Sequence, residues 1–421
     1  MTSLNELCIV QRDKIFDTIT MLKLIEVGCS CQNISLVNEE NIDLNCFPFP
    51  LTHTIVIQII YISMFVFITV AALAGNLTVV WIILFHKKMR TVTNYYLLNL
   101  AIADISITIL NTGFSGMYNL YYNWKFGSFY CAVNSLMGVT PICVSVFTMI
   151  VLSIDRYLAI VYPLRKRPGK RQTLLIVFFI WFLAIMWGLP SYFVSKVSKH
   201  YFWDDKDRYL FEDQTCSPDD FPDGNHATSV LFKLYNNALI VTQYVLPLLI
   251  LSFTYGKTVL VLRKTEAIGD SVHTDNLIAK RKVANMLALI VVIFTFMWMP
   301  YNLYFLLKPY IPLELDNKTE NYIYLNIYWL GMASSILNPV IYYFMNVRFR
   351  LGFKYAWRWL PFINVSKEKY QSVYSSKNIW IASNGPKNHI YINPNIQLCE
   401  KKKESTSNVS KKEPTESSML L

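Results

Sequence analysis

The sequence predicts an all-α membrane protein: a seven-transmembrane helix bundle followed by a short amphipathic interfacial helix. Hydrophobic residues make up 53% of the 421 residues and charged residues only 16%, whereas charged residues form about a quarter of a soluble domain. Seven apolar runs are long enough to cross a bilayer, which takes about 20 residues. Inside lipid each run must be a helix, because its backbone polar groups have no water to bond.

The seven runs follow one another between residues 54 and 345 and define the predicted bundle. They lie near residues 56–85, 93–120, 131–161, 173–194, 231–262, 283–307 and 323–345. Around them we expect an extracellular N-terminal tail over residues 1–53, the interfacial helix over residues 346–361 and a cytoplasmic tail over residues 362–421. Low hydrophobicity and mixed charge predict that the cytoplasmic tail is disordered.

Apolar and basic residues alternate at helical spacing in the interfacial helix. One face carries Phe349, Phe353, Trp357 and Leu360, and the other carries Arg348, Arg350, Lys354 and Arg358. This pattern is typical of a helix lying in the membrane interface, with its apolar side in the lipid and its cations on the headgroups. We therefore expect membrane lipids as partners; the alternative is an amphipathic helix docked on protein.

Charge in the loops predicts the orientation of the bundle. Lysine and arginine collect after the first, third, fifth and seventh runs, whereas the loop between the fourth and fifth runs is acidic. The positive-inside rule then places the N-terminus outside and the C-terminus in the cytoplasm, and we expect the plasma membrane. The same rule accounts for the net charge of +11, so nucleic acid is not expected as a partner.

Extracellular chemistry is predicted for several residues on the outer side. Cys131 and Cys216 both fall there, where disulfides persist, and we expect a bridge that pins the acidic loop to the bundle. Asn33 and Asn317 begin glycosylation sequons on the same side. The remaining extracellular cysteines, Cys8, Cys29, Cys31 and Cys46, leave their pairing open.

Three motifs within the runs have the character of switch elements. Asp155-Arg156-Tyr157 ends the third run, where a charged pair near hydrocarbon is costly and marks function. Pro300, in a Trp-Met-Pro motif, and Pro339, in an Asn-Pro-Val-Ile-Tyr motif, break helical hydrogen bonding and create hinges.

Together these motifs resemble the switch elements of rhodopsin-like G-protein-coupled receptors. The resemblance implies that Arg156 is masked by Asp155 at rest and binds a helix of a heterotrimeric G protein when the bundle opens. Tyr255 and Tyr342 would be partners of Arg156 in the active state. The full set of implied switch residues is Asp155, Arg156, Tyr157, Trp298, Pro300, Asn338, Pro339, Tyr342 and Tyr255.

Asp104 is the one carboxylate deep in the second run, and it needs polar partners there. Buried polar candidates in neighbouring runs are Asn76, Ser145, Ser334 and Asn338. By the same resemblance this cluster is a pocket for water and a sodium ion that holds the inactive state. A purely structural hydrogen-bond network is the alternative. Apart from sodium at Asp104, no metal or cofactor is expected.

The outer half of the bundle favours a peptide ligand. Gly138 stands where an amine receptor of this class needs an Asp, and Met332 stands where an opsin needs a Lys. The candidate peptide-binding residues are amides and aromatics, namely Asn111, Tyr118, Asn134, Asn236, Tyr301, Asn302, Phe305 and Tyr324. Amides bond to a peptide backbone and aromatic rings stack on its side chains, while the acidic loop attracts a basic ligand.

Four segments resemble the tachykinin (neurokinin) receptors: residues 81–84 (WIIL), 88–95 (KMRTVTNY), 279–283 (AKRKV) and 348–354 (RFRLGFK). The similarity covers residues 60 to 363 and neither tail. It implies a secreted neuropeptide ligand and coupling to Gq and calcium release. Among the candidate residues, Asn111, Tyr118, Phe305 and Tyr324 match positions that contact peptide or antagonist in that family.

Some positions depart from the vertebrate members of that family. Asn134, Asn236 and Asn302 stand in place of histidines, and Ser191 stands in place of a glutamine. These differences favour an invertebrate receptor for tachykinin-related peptides. A receptor for another amidated neuropeptide, RYamide-like or neuropeptide Y-like, is the alternative.

The sequence also bears on other partners and on other classes of protein. Serine and threonine residues in the cytoplasmic tail could be phosphorylated and would then favour arrestin as a partner. A membrane transporter or channel would need polar residues along a continuous path, but Asp104 is essentially the one charge within the runs. The six histidines show no metal or triad spacing, so an enzyme is not expected.

Overall fold

The computed structural model describes residues 9–10, 35–36, 42–45, 53–204, 209–218, 221–224, 228–266, 274–308 and 317–374. Within these ranges the chain forms seven long helices, two short α-helices and a 3₁₀ helix at Lys87–Met89. Several predictions fall outside the described residues: the glycosylation site Asn33, the four cysteines of the N-terminal tail and the serine- and threonine-rich end of the predicted cytoplasmic tail. The side chain of Asn317 is also outside the described part of the chain.

The long helices match the seven predicted runs in order. They are α1 (Ile55–Phe85), α2 (Val92–Tyr121), α3 (Gly127–Val161), α4 (Lys170–Val194), α5 (Val230–Ile240, continuing as Leu246–Glu266), α6 (Thr274–Leu307) and α7 (Asn317–Met345). Two π-helical turns, Thr108–Thr112 in α2 and Val241–Val245 in α5, rotate the helix segments on either side of them.

Six helices of the described chain, α1 to α6, are long and apolar enough to cross a membrane. The seventh helix, α7, has 29 residues and packs between α1 and α6. Its apolarity is lowered by polar residues that face the bundle, among them Asn321 and Ser335, which are both buried. Burying such groups requires partners within the protein, so the polarity of α7 reflects its place inside the bundle.

Close helix packing and buried hydrogen bonds hold the bundle together. The central helix α3 packs against α2, α4 and α5. Asn99 of α2 donates to the Thr148 hydroxyl of α3 at 2.7 Å, and it accepts from the Trp181 indole of α4 at 2.8 Å. Gly75 lets α1 approach α7 closely, because a Cβ at this position would lie 2.9 Å from the Pro339 ring.

A β-hairpin and a disulfide close one end of the bundle, called here the disulfide end. Strand β1 (Ile42–Asn45) pairs parallel with β2 (Lys196–Asp204), and β2 pairs antiparallel with β3 (Tyr209–Ser217). The bridge between Cys131 and Cys216 fixes β3 to the start of α3, which confirms the predicted disulfide. The hairpin itself was not predicted from the sequence.

At the opposite end, called here the Arg156 end, α8 (Val347–Ala356) follows α7 directly. Asn346 caps it by accepting hydrogen bonds from the backbone N–H groups of Arg348 and Phe349. Part of the apolar face is docked on protein: Phe349 is fully buried, and the Trp357 indole donates to the Thr78 hydroxyl of α1 at 3.1 Å. The helix is shorter than the predicted range of 346–361.

The segment predicted as a disordered cytoplasmic tail contains a helix, α9 (Lys367–Tyr374), so the prediction of disorder from residue 362 was wrong for these residues. Ser366 accepts a hydrogen bond from the backbone of Lys369 and starts the helix. The Tyr370 ring stacks on Tyr355 at 3.6 Å, and the Tyr374 hydroxyl donates to the Arg348 carbonyl at 2.5 Å. These contacts order a segment whose composition is that of a disordered one.

Candidate functional site

A cavity of about 310 Å³, called here the large cavity, opens between the helices at the disulfide end. Seven of the eight candidate peptide-binding residues line it, namely Asn111, Tyr118, Asn134, Asn236, Tyr301, Phe305 and Tyr324. The eighth, Asn302, is not among the lining residues; its side chain donates to the Trp298 carbonyl one turn earlier in α6, at 2.8 Å.

Hydrogen bonds between three helices form the floor of this cavity. The Tyr328 hydroxyl of α7 donates to the Asn111 side-chain oxygen of α2 at 3.0 Å. The Asn111 amide donates in turn to the Asn134 carbonyl of α3 at 3.0 Å, and the Asn134 amide donates to the Ser115 hydroxyl at 3.0 Å. Asn111 lies in the π-helical turn of α2. The floor therefore presents polar groups whose positions depend on how α2, α3 and α7 are arranged.

Aromatic rings form the wall of the cavity along α6 and α7. The ring centroids of Tyr301 and Phe305 are 4.7 Å apart, those of Phe305 and Tyr324 are 6.1 Å apart, and Tyr324 stacks on Tyr328 at 6.0 Å. Rings at these separations attract one another and keep a large apolar surface in place. Such a wall can hold aromatic or aliphatic side chains of a ligand.

Gly138 also lines the cavity, beside the floor network. A Cβ at this position would lie 3.2 Å from the side-chain nitrogen of Asn111. A side chain there would therefore require Asn111 to shift by a few tenths of an ångström.

Sequence reasoning missed several lining residues. Tyr235 lines the cavity from α5, with its hydroxyl donating to the Trp187 carbonyl at 2.9 Å and lying 2.9 Å from the Ser191 hydroxyl. Phe221 and Phe232 also line it and pack edge to face. Phe232 precedes Asn236 by four residues and could have been found from this helical spacing. Tyr235, the immediate neighbour of Asn236, and Phe221, which lies in a loop, carry no such signal.

Two of the acidic-loop residues that the structure describes have structural roles. Asp223 accepts hydrogen bonds from the backbone of Val230 and Leu231, at 2.7 and 3.0 Å, and so caps the start of α5. The Ser229 hydroxyl and these N–H groups hold the pKa of Asp223 below its ordinary value. Asp213 accepts from the Asn123 amide, and burial raises its pKa.

Asp104 lies in the middle of the bundle with partners that only partly match the predicted cluster. Asn338 donates to its carboxylate at 2.8 Å, as expected. The nearby serine is Ser335, not Ser334, whose hydroxyl accepts from the Trp298 indole at 3.1 Å. Asn76 binds the backbone carbonyl of Ser335 at 2.9 Å, and its side-chain oxygen is buried without a partner among the described residues. Ser145 is buried.

At the Arg156 end, Arg156 is held by two groups. Its guanidinium forms an ion pair with Asp155, in which Nε donates to the Asp155 carboxylate at 3.1 Å. The guanidinium also donates to the Thr93 hydroxyl of α2. Thr93 was not predicted as a partner. A cavity of about 130 Å³ beside Arg156 is lined by α3, α5 and α6, with Tyr255 among its residues.

Trp298 and Tyr342 lie between these two regions, and Tyr157 follows Arg156 directly at the Arg156 end. Trp298 is buried below the aromatic wall, 5.6 Å from the Tyr301 ring, two residues before Pro300. Tyr342, three residues after Pro339, is fully buried; its ring packs on Phe349 at 5.4 Å, and its hydroxyl lacks a partner within the described chain. Tyr157 packs against Tyr162 and Phe253 instead of facing Arg156.

Comparison with known proteins identifies the family. The family model described as 7 transmembrane receptor (rhodopsin family) matches residues 75–342. The chain belongs to this receptor family. Membership confirms the seven-transmembrane all-α membrane fold and the expectation that the chain is not an enzyme, and it makes the chain a multi-pass membrane protein.

Curated relatives are similar over most of the chain. It is 36% identical over 315 residues to the Tachykinin-like peptides receptor 99D of Drosophila melanogaster, which covers 74% of this chain and 60% of that protein. It is 35% identical to the Probable G-protein coupled receptor tkr-1 of Caenorhabditis elegans, covering 83% and 84%. It is 38% identical to the Neuromedin-K receptor of Rattus norvegicus, covering 71% and 63%. The chain thus spans less than two thirds of the length of the fly and rat relatives. The names support the predicted resemblance to tachykinin receptors.

Proposed function

We propose that this protein is a receptor for a tachykinin-related neuropeptide that couples peptide binding outside the cell to heterotrimeric G-protein activation inside. One observation carries the proposal: a single helix, α3, contributes Asn134 to the floor of the large cavity and Arg156 to the opposite end. A rise of 1.5 Å per residue separates them by about 33 Å. A shift of α3 at the cavity is therefore transmitted to the Arg156 pair.

The cavity supports a peptide as the ligand. Its floor offers amide groups that can exchange hydrogen bonds with a peptide backbone, and its wall offers aromatic surface for side chains. The names of the relatives in fly, worm and rat favour the tachykinin type. An RYamide-like or neuropeptide Y-like ligand is the competing candidate, and a panel of peptides separates the two.

The Arg156 end supports a G protein as the partner. At rest Asp155 and Thr93 hold the guanidinium, and the cavity beside it, between α3, α5 and α6, is too small for a helix. When α6 moves outward about the proline hinge at Pro300, Arg156 becomes available to a helix of the G protein, with Tyr255 and Tyr342 as its new partners. Coupling to Gq and calcium release follows the family resemblance.

Location and modulators complete the proposal. The plasma membrane holds the bundle with the disulfide end outside, because disulfides persist there and the basic loops lie at the Arg156 end. Residues 1–53 form the extracellular tail and residues 54–345 the bundle.

The segment 346–361 contacts lipid headgroups through its cations, and a phosphorylated tail recruits arrestin. Sodium binds at Asp104, with Asn338 and the unpaired oxygen of Asn76 as oxygen ligands.

Calcium release in cells expressing the receptor tests the function. The cells are challenged with amidated tachykinin-related, RYamide-like and neuropeptide Y-like peptides, beside cells that lack the receptor. We expect a response to tachykinin-related peptides at nanomolar concentration. A response to another peptide family alone would keep the receptor and reject its ligand class. Silence toward every peptide with the protein at the cell surface would reject a tachykinin-related ligand that acts through Gq and calcium release.

A further inference from the structure

An ion pair joins the ends of α6 and α7 at the mouth of the large cavity. Lys308, one residue beyond α6, pairs with the Glu320 carboxylate in the first turn of α7. The Tyr304 hydroxyl donates to the same carboxylate at 2.7 Å. The Lys308 ammonium also lies 5.3 Å from the centre of the Tyr304 ring, within the range of a cation–π contact. Glu320 and Tyr304 thus form a cup around a cation.

This cup lies one helical turn above residues that line the cavity. Glu320 precedes Tyr324 by four residues, so both side chains are on one face of α7. The Tyr304 ring contacts Phe305 at 5.3 Å and Tyr324 at 6.1 Å, and both of these residues line the cavity. A ligand seated against the aromatic wall therefore passes beside the Glu320 carboxylate.

The lysine in the cup can be displaced. The Lys308 side chain is 54% exposed and that of Glu320 is 35% exposed, and ion pairs this accessible contribute only about 0–1 kcal/mol. Lys308 is the residue after α6, and its backbone N–H still donates to the Tyr304 carbonyl at 2.9 Å, so only its side chain has to leave the cup. A ligand cation that enters the cup meets the same carboxylate and the same ring, and Lys308 can return to water.

We propose that Glu320 and Tyr304 are specificity residues that bind a cationic side chain of the ligand, with Lys308 occupying their site in the unliganded receptor. The proposal rests on the proposed peptide receptor function and adds the charge that the peptide must carry near the mouth of the cavity. Asp223, which caps α5, and Asp213, which is bonded to Asn123, are committed elsewhere. Among these three carboxylates at the disulfide end, Glu320 is thus the one whose present partner a ligand cation can replace.

Selectivity for charge in the ligand tests this proposal. The probes are an arginine-containing amidated tachykinin-related peptide and analogues in which each arginine in turn is citrulline, a neutral group of the same shape. The measured quantity is the half-maximal concentration of each citrulline analogue divided by that of the arginine peptide in the calcium assay. At one of the arginine positions we expect Glu320→Gln to reduce the preference of the receptor for arginine over citrulline about fivefold, which is the contribution of an accessible ion pair. Lys308→Gln should increase this preference, because the competing ammonium is gone.

Controls separate a binding role from a structural one. Glu320→Gln keeps an oxygen for the Tyr304 hydroxyl, and Glu320→Asp should restore the preference for arginine. Asp213→Asn removes one negative charge from the same end of the protein and should leave the ratio unchanged. An equal change in potency for both peptides in Glu320→Gln and an unchanged ratio in Lys308→Gln would overturn the proposal alone. A wild-type receptor silent to all peptides would reject the proposed function and this proposal with it.

Discussion

The Tyr328 hydroxyl donates a 3.0 Å hydrogen bond to the side-chain oxygen of Asn111, and this contact connects α7 to α2 beneath the large cavity. Both residues are buried. Asn111 continues the connection to α3 through the Asn134 carbonyl. These contacts therefore join three helices at the floor of the large cavity.

Removing the Tyr328 hydroxyl should weaken the response to peptide. Tyr328→Phe keeps the ring that stacks on Tyr324 and leaves the Asn111 oxygen without its donor. A buried hydrogen bond contributes about 1 kcal/mol, so we expect about a fivefold loss of potency in the calcium assay. Tyr121→Phe, which removes an exposed hydroxyl bonded to Gln58, serves as the control. Equal potency in Tyr328→Phe and the wild type would show that the floor network does not contribute to ligand response.

Loosening the resting contacts of Arg156 should raise signalling without ligand. Asp155→Asn removes the charge that pairs with the guanidinium, and Thr93→Val removes the hydroxyl that accepts from it. Each contact contributes about 1 kcal/mol to the resting state. We expect ligand-free signalling to rise by up to about fivefold at equal surface expression. If both variants are as quiet as the wild type, Arg156 is not restrained by these groups.

Sodium sensitivity tests the role of Asp104. If sodium binds at this carboxylate and favours the inactive state, added sodium chloride should lower the affinity for an agonist peptide, relative to choline chloride at equal ionic strength. We expect a loss of about fivefold in the wild type, typical of allosteric coupling. The sensitivity should vanish in Asp104→Asn, which keeps a side-chain oxygen near Asn338. Persistent sodium sensitivity in this variant would place the ion elsewhere.

Gly75 should tolerate no side chain. Alanine at this position places a Cβ 2.9 Å from two carbons of Pro339, so α1 and α7 must separate. Overpacking of this kind costs about 1–3 kcal/mol, and we expect Gly75→Ala to lower the melting temperature of the detergent-solubilised receptor. Gly256→Ala is the matched control, because nothing lies within 4 Å of the added Cβ. Equal melting temperatures would contradict the close approach of the two helices.

Mild acid should destabilise the receptor through His53, which lies before α1. Its ring contacts the Tyr322 hydroxyl at 3.1 Å and the Asn321 amide at 3.3 Å. Burial, and secondarily the charge of Lys318, lowers the pKa of His53. The unfolded chain therefore binds a proton more readily than the folded protein. Stability from this group is present above about pH 6.5, the ordinary value, and is lost as the pH falls through the lowered value.

The measurement is the melting temperature between pH 7.5 and 5. We expect it to fall with pH in the wild type and to fall less in His53→Gln, which cannot take up a proton. A steeper fall in the variant than in the wild type would contradict a lowered pKa at His53.

The seven spans, the disulfide and seven of the residues that line the cavity were predictable, because they depend on residue type and helical spacing. Hydropathy marks a span whatever its neighbours are, and amides or aromatics in the outer half of a bundle have few other places to lie. Partner choice was less predictable. Ser334 and Ser335 differ by a rotation of about 100° on a helix, and the sequence alone does not fix how α7 is rotated toward Asp104.

Structure that depends on contacts between distant segments was missed. Thr93 is recognisable as a partner of Arg156 once the ends of α2 and α3 are adjacent. The helix α9 is stabilised by the stacking of Tyr370 on Tyr355, and the hairpin at the disulfide end by its pairing and by the bridge at Cys216. None of these contacts leaves a periodic signal within its own segment.

Peptide binding at the disulfide end and G-protein activation at the Arg156 end can be measured separately in one membrane preparation. We would compare binding of a radiolabelled tachykinin-related peptide with nucleotide exchange on added heterotrimeric G protein, in the wild type and in Arg156→Ala. The wild type should bind the peptide and stimulate exchange, whereas Arg156→Ala should bind it within about threefold and stimulate none. Full exchange by Arg156→Ala, or peptide binding by the wild type without any exchange, would contradict the coupling of the two ends through α3.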